Sequence, residues 1–369
     1  MIKVLFDHQI FSLQVYGGIS RYFANIIKSL QKNEEIEVIQ GFLYSKNYYQ
    51  KAESHGIKRT IFRFLTTNKA DIYQKNTKYS KYLIRRNDFD VFHATYFDPY
   101  FLNHLRKPLV ITIHDMIYER FPHFFSPEDP TPQQKRELAQ AAAMIIAISE
   151  TTKKDIIKYL GIEARKIKVI PHGIDTDTPQ YETIDNIPEH YILFVGSRDG
   201  YKNFLLLAEA FKKIVETNKK LHLVLAGGVP LTVDESQFLA ANQILDKTFH
   251  LSATDNQLNT LYKNAICFVF PSLYEGFGIP ILEAFKNNCP VLLSNSSCFP
   301  EIAGDAALYF DPESISSLIS NIQLLMRDDA LRNKLRQDGK LKLKSYTLDK
   351  CLNATINVYK ELTSNNRGR

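Results

Sequence analysis

The sequence predicts an α/β fold built on two doubly wound parallel sheets. Three observations carry the expectation. Short apolar runs alternate with helix-period segments along most of the chain, which is the pattern of repeated βαβ units. The runs are apolar throughout, as in strands buried on both faces. The 369 residues amount to roughly two domains of ordinary size, and with 44% hydrophobic residues each half can bury a core. The alternation closes at Pro171-His-Gly-Ile-Asp175 and restarts at Tyr191. The expected division is therefore 1–178 and 179–347.

The first strand is Ile2 to Phe6. Its start, Met-Ile-Lys-Val-Leu-Phe-Asp, is too short and too soon acidic for a signal peptide. A loop follows, then the pair Gly17-Gly18 and an apolar-periodic helix from Tyr22 to Leu30. A glycine turn between strand and helix suits phosphate, because the helix N–H groups point out of it. No third glycine stands at the dinucleotide-fingerprint spacing. Residues 35–44 read as the second strand. From Lys46 to Arg86, eleven Lys and Arg face two acids, Glu53 and Asp71, with tyrosine and phenylalanine interleaved. Such a stretch is either a solvated face or a contact for an anionic membrane or lipid diphosphate. No nucleic-acid motif accompanies it, so nucleic acid is not an expected partner.

Val91–Tyr96 and Leu109–Ile113 are buried strands. The second ends in His114-Asp115, at the end of the sheet where open α/β folds bind ligands. Met116–Pro132 holds four prolines and is too long for a plain connection, so it reads as an acceptor-side loop. Met144–Ser149 is a strand, with Ser149 as N-cap of a helix Lys153–Leu160. Lys168–Ile170 is the last strand of the first domain.

Tyr191–Val195 runs into Gly196-Ser197-Arg198 and then Lys202. An arginine and a lysine four apart at a strand end can clamp one diphosphate, the first as a fork and the second as a point charge. Strands follow at Leu221–Ala226, Phe249–Ser252, Ile266–Phe270, Pro290–Asn295 and Ala306–Asp311. The Gly227-Gly228 turn and a helix over Ala253–Tyr262 lie between them. After the Ile266–Phe270 strand comes Glu275-Gly276-Phe277-Gly278-Ile279-Pro280, then Glu283. The glycines free the backbone to turn, Pro280 suits a helix start, and the N–H groups of Gly278 and Ile279 make an anion site. Glu275 and Glu283 would repel a phosphate, so they are expected to bind hydroxyls. Phosphate and hydroxyls together suggest a sugar nucleotide.

The order Glu-Gly-Phe-Gly-(x)4-Glu resembles the E-x7-E signature of retaining family-4 glycosyltransferases, enzymes of the GT-B fold. The runs Gly-Gly-Ile-Ser-Arg-Tyr, His114-Asp115, Pro171-His-Gly and the Arg198/Lys202 pair are similar to that family's motifs in the same order. The resemblance covers nearly the whole chain. Within that family it resembles the bacterial mannosyl- and rhamnosyltransferases of surface polysaccharide synthesis. It implies two Rossmann-like domains facing across a cleft, with the last helix, from Leu348, crossing back to the first domain. It implies hexose transfer from a nucleotide sugar, GDP-mannose ahead of dTDP-rhamnose or a UDP-sugar, to a hydroxyl of a glycan or lipid-linked glycan.

The resemblance also implies roles. Gly17 and Gly18 would face the donor diphosphate, and His114 would touch the transferred sugar. Arg198 and Lys202 would hold the diphosphate. Glu275 would bind sugar hydroxyls and Glu283 the ribose. Ser197, Leu258, Gly276, Phe277, Gly278 and Ile279 would complete the donor contacts. No cofactor beyond the nucleotide sugar is expected. The strings Asp88-Phe-Asp90 and Asp175-Thr-Asp177 stand at the wrong end of a strand and in the linker, so no metal is expected. The rival readings are a sugar-nucleotide epimerase of the same fold and a catalytically silent nucleotide-sugar-binding scaffold. Cys267, Cys289, Cys298 and Cys351 show no metal spacing, and no run of about 18 apolar residues exists. A cytoplasmic protein, touching the membrane at most peripherally, is the expectation.

Overall fold

The computed structural model describes residues 1–50, 68–198 and 200–367. Among these residues, twelve strands pair in parallel into two six-stranded sheets. The first sheet holds β1 (Ile2–Phe6), β2 (Ile36–Gln40), β3 (Val91–Ala94), β4 (Leu109–Ile113), β5 (Met144–Ala147) and β6 (Ile167–Val169). The second holds β7 (Tyr191–Val195), β8 (His222–Ala226), β9 (Thr248–Leu251), β10 (Phe268–Phe270), β11 (Val291–Ser294) and β12 (Leu308–Phe310). The central strands β3, β4, β5, β10 and β11 are buried at every residue, which is why they read as unbroken apolar runs.

Strand order places the sites. The first sheet runs β2-β1-β3-β4-β5-β6 and the second β12-β11-β10-β7-β8-β9. The chain therefore reverses its direction of travel between β1 and β3, and again between β7 and β10. Loops leaving two strands in opposite directions open a crevice at their carboxyl ends, and ligands bind there in open α/β sheets. In the second sheet this brings the loop after β7 beside the loop after β10. The backbone N–H of Leu273 donates to the carbonyl of Tyr201 (2.8 Å) and ties the two together.

The chain divides into two units, Met1–His172 with Asp349 onward, and Gly173–Leu348. The first break falls before the expected 178. In the first unit the helix Gly18–Leu30 buries Tyr22, Phe23, Ile26, Ile27 and Leu30, a stripe spaced by three and four. Cys351, Leu352, Ile356, Tyr359 and Leu362 of the helix Leu348–Arg367 join the same core, beside Val4, Phe6 and Ile27. Fully burying side chains of this kind contributes about 1.5–3 kcal/mol each. The Tyr359 hydroxyl lies 2.7 Å from Nδ1 of buried His93, whose Nε2 reaches Thr112 Oγ1 at 3.0 Å.

Four local expectations are corrected. The helix expected from Tyr22 begins at Gly18. Ser149 does cap a helix, accepting from the Thr152 N–H, but that helix starts at Glu150. Pro280 is the second helical residue, after Ile279. The supposed loop 116–132 contains helical turns at Ile117–Arg120 and Pro122–Phe124. Those turns are anchored by Lys135, whose ammonium is 1% exposed and donates to Glu119 (3.0 Å) and to the Asp115 carbonyl (3.2 Å). Within the basic stretch, 51–67 lie outside the described residues. In the helix Lys69–Arg86 that follows, several cations are engaged locally. Lys75 pairs with Asp71, Lys81 lies over Tyr100, Arg86 over Tyr82, and Arg85 Nη2 is 3.3 Å from His104.

Candidate functional site

The turn after β10 is the centre of the second unit's carboxyl end. Gly278 caps the helix Ile279–Lys286 from the left-handed region, φ 93°, and no side chain caps that helix. A methyl group on Gly278 would stand 3.0 Å from Ile281 and 3.2 Å from Phe299, so both conformation and space call for glycine. Gly276 and Phe277 are buried and Ile279 is half-buried. The uncapped start leaves a partial positive charge at the mouth of the sheet.

Two carboxylates and one ammonium define the chemistry. Glu275 Oε1 accepts from Lys202 Nζ at 2.6 Å and from Ser272 Oγ at 2.8 Å. The Glu275 N–H donates to Ser297 Oγ at 3.1 Å, which fixes the turn. The side chains of Lys202 and Glu275 are 16% and 13% exposed, so their attraction acts in a partly desolvated place where it exceeds its value in water. Lys202 Nζ also lies 5.0 Å from the Tyr201 ring centre and 5.7 Å from that of Phe270. Glu283, half-buried on the helix after the turn, accepts from the Tyr262 hydroxyl at 3.2 Å. Leu258 is half-buried on Asp255–Asn264, the helix that carries Tyr262.

Arg198 is engaged by protein groups on two of its nitrogens. Its side chain is 2% exposed. Nε donates to Glu235 at 2.7 Å, and Nη2 donates to Glu235 (3.1 Å), to the Val229 carbonyl (2.8 Å) and to the Pro230 carbonyl (3.2 Å). The fork is thus taken up by Glu235. The expected clamp is two ion pairs, Arg198–Glu235 and Lys202–Glu275. Ser197 beside it is half-buried.

In the first unit, Gly17 caps the helix that opens at Gly18, again with no side-chain cap. The Gln14 side chain accepts from the Ser20 N–H at 3.2 Å, and Ser20 Oγ donates to the Gly17 carbonyl at 2.9 Å. His114 lies at the carboxyl end of β4, buried. Its ring stacks on His172 with centres 5.4 Å apart and planes 19° apart. Tyr22 meets both rings edge-on, at 5.2 and 4.6 Å. Burial, helped by His93 and Lys135, pushes His114 down to about 3, so the imidazole is neutral near pH 7. Its buried Nε2 has no hydrogen-bond partner. A neutral ring with one such nitrogen can meet a hydroxyl.

Sequence reasoning missed Glu235, His172 and Tyr22 as members of these clusters. For Glu235 a signal existed. Thr232 and Glu235 form a capping box at the start of the helix Val233–Ala241. The aspartate pairs are used elsewhere. Asp90 accepts from the Lys3 N–H and Asp88 from Lys3 Nζ, at the amino end of β3, and Asp175 accepts from the Asp177 N–H. Among the described residues, no three His, Cys, Asp or Glu gather as metal ligands.

Residues 16–178 match the family model for Glycosyltransferase Family 4, and residues 181–342 match that for Glycosyl transferases group 1. The chain is 26% identical over 370 residues to O-antigen chain mannosyltransferase B of Escherichia coli, covering 94% of this chain and 96% of that one. It is 30% identical over 226 residues to O-antigen chain mannosyltransferase RfbU of Salmonella typhimurium, covering 60% and 62%. Sucrose-phosphate synthase of Thermosynechococcus elongatus superposes with a TM-score of 0.77 at 17% identity, covering 99% and 100%. Anabaena HepE in complex with UDP and glucose does so at 0.74 and 16%, covering 98% and 100%. At such identities these two structures bear on the fold alone.

Proposed function

The chain belongs to the GT-B glycosyltransferases, with a family 4 half and a group 1 half, and from that premise we propose that it transfers mannose from GDP-mannose to a glycan or lipid-linked glycan hydroxyl with retention of configuration. The observation that carries the reading is the Lys202–Glu275 pair beside the uncapped helix start at Gly278. Departure of a nucleoside diphosphate needs its growing negative charge met, and an ammonium and a helix start supply that electrostatically. When phosphate draws Lys202 away, the Glu275 carboxylate is freed to accept from sugar hydroxyls. Glu283 would hold the ribose hydroxyls, and His114 Nε2 the transferred sugar. Attack by the acceptor hydroxyl on the donor's own leaving-group face is the mechanism we favour, without a divalent metal. The mannosyltransferase relatives favour mannose over rhamnose, and their names give transfer rather than epimerisation.

The test is a thermal-shift panel of GDP-, UDP- and dTDP-sugars, followed by transfer assays with the best binder in excess chelator. GDP-mannose is expected to stabilise most, and transfer is expected to survive chelation. Preference for another nucleotide would replace the donor. Loss of activity restored by manganese would replace the metal-free step.

The basic face enters the same proposal as a peripheral membrane contact. No helix among the described residues is long and apolar enough to cross a bilayer. Within the basic stretch Tyr48 and Tyr82 are each exposed beyond half, and tyrosines of this kind suit a membrane interface. Co-sedimentation with anionic vesicles at low salt, fading as exposed charges are screened over about 8 Å at physiological ionic strength, is expected. Protein that stays in the supernatant at low salt would count the face as merely solvated.

A further inference from the structure

Arg198 presents an asymmetry that its ion pair does not explain. Four hydrogen bonds occupy Nε and Nη2, while Nη1 is buried and has no hydrogen-bond partner. A buried guanidinium nitrogen left unmet is costly, and such groups are rare without a reason. Nη1 lies against the turn at Gly228. A methyl group built on Gly228, which has φ +71°, would stand 3.3 Å from Nη1 and 2.9 Å from the Gly196 carbonyl. Glycine at 228 keeps a side chain off Nη1 at the carboxyl ends of β7 and β8. Glu235, meanwhile, is itself held. Its Oε2 accepts from the Thr232 N–H (2.8 Å), and its own N–H donates to Thr232 Oγ1 (3.1 Å). The carboxylate cannot swing without opening the helix start.

We propose that Glu235 is a positioning residue, which holds Nε and Nη2 of Arg198 so that Nη1 is delivered to a phosphate oxygen lodged beside Gly228. The proposal rests on the reading of this end of the second unit as a nucleoside-diphosphate site. Simple electrostatics argues the opposite way, since removing a carboxylate near an anion site should tighten anion binding. That opposition makes the inference sharp.

The experiment titrates GDP and UDP into the full chain and its Glu235→Ala, Glu235→Gln and Thr232→Ala variants, with melting temperatures measured alongside. Glu235→Ala is expected to weaken diphosphate binding about tenfold or more, because a small misplacement of a binding group is enough for such losses. Glu235→Gln, which keeps one acceptor for the fork, should recover part of this. Thr232→Ala loses the hydroxyl of the helix cap but keeps the backbone N–H that meets the Glu235 carboxylate, so it should melt lower and weaken binding less than Glu235→Ala does. In transfer assays the Glu235 variants should lose through KM more than through kcat. Unchanged or tighter binding in both Glu235 variants overturns the proposal and marks Glu235 as a competitor of phosphate. If the parent chain binds neither nucleotide, the reading of the site fails, and the proposal with it.

Discussion

Replacing Lys202 by alanine is expected to lower kcat/KM for transfer about 10²–10³-fold, the usual loss when one preorganised group stops stabilising transition-state charge. The ammonium is 2.6 Å from Glu275 and lies on the Tyr201 side of the turn that ends at Gly278. Its removal has two consequences at once. The leaving diphosphate loses a nearby cation, and Glu275, 13% exposed, is left with the Ser272 hydroxyl as its side-chain donor among the described residues. The first raises the barrier. The second adds repulsion where phosphate must sit. Steady-state kinetics with a GDP titration checks this, and circular dichroism checks the fold. Both kcat/KM and GDP affinity should fall while the spectrum stays. A variant that transfers at the parental rate would remove Lys202 from the reaction.

Acidification is expected to destabilise the first unit steeply. Burial pushes His8, His93 and His114 down to about 3, and His172 well below the ordinary 6.5. As pH falls through 6.5, each takes up a proton in the unfolded chain and not in the folded one. Each therefore withdraws up to about 1.4 kcal/mol of stability per pH unit below 6.5, and His8, His93 and His114 do so down to about 3. Asp7 works in the opposite direction. Burial raises its carboxyl to about 6 from the ordinary 3.8, so its term favours folding at low pH and is lost as pH rises through 6. It offsets roughly one histidine between pH 6 and 4, leaving a net loss as acid is added. All five residues lie in the first unit. Urea midpoints should be flat from pH 7 to 8 and drop sharply from pH 6.5 to 5, with amide protection lost first in that unit. A midpoint constant from pH 7.5 to 5 would contradict the assignment.

The strands were legible because a strand buried on both faces leaves a run such as Phe268-Val-Phe270 or Leu109–Ile113 that little else produces. The turns were legible because glycine and proline have few other uses at a strand end. The helix Val233–Ala241 was not. Of its residues Leu239 is the buried one, so it has no stripe to read, and only its capping box announces it. Pairing was the least legible layer. Lys202 and Glu275 are 73 residues apart and Arg198 and Glu235 are 37 apart, and no local rule links residues at such distances. Residue type could nominate a cation for phosphate. Strand order had to decide which carboxylate it meets first.

The helix that runs on from Leu348 has a consequence for synthesis. Cys351, Ile356 and Tyr359 complete the core around Val4 and Phe6, and the Tyr359 hydroxyl answers buried His93. Those residues leave the ribosome after all of Gly173–Leu348. The unit begun first is thus finished last. While the second unit is being made and can close on itself, the nascent first unit must wait with one wall of its interior open to water and one nitrogen of His93 unanswered, a state in which a multidomain chain is exposed to misassembly.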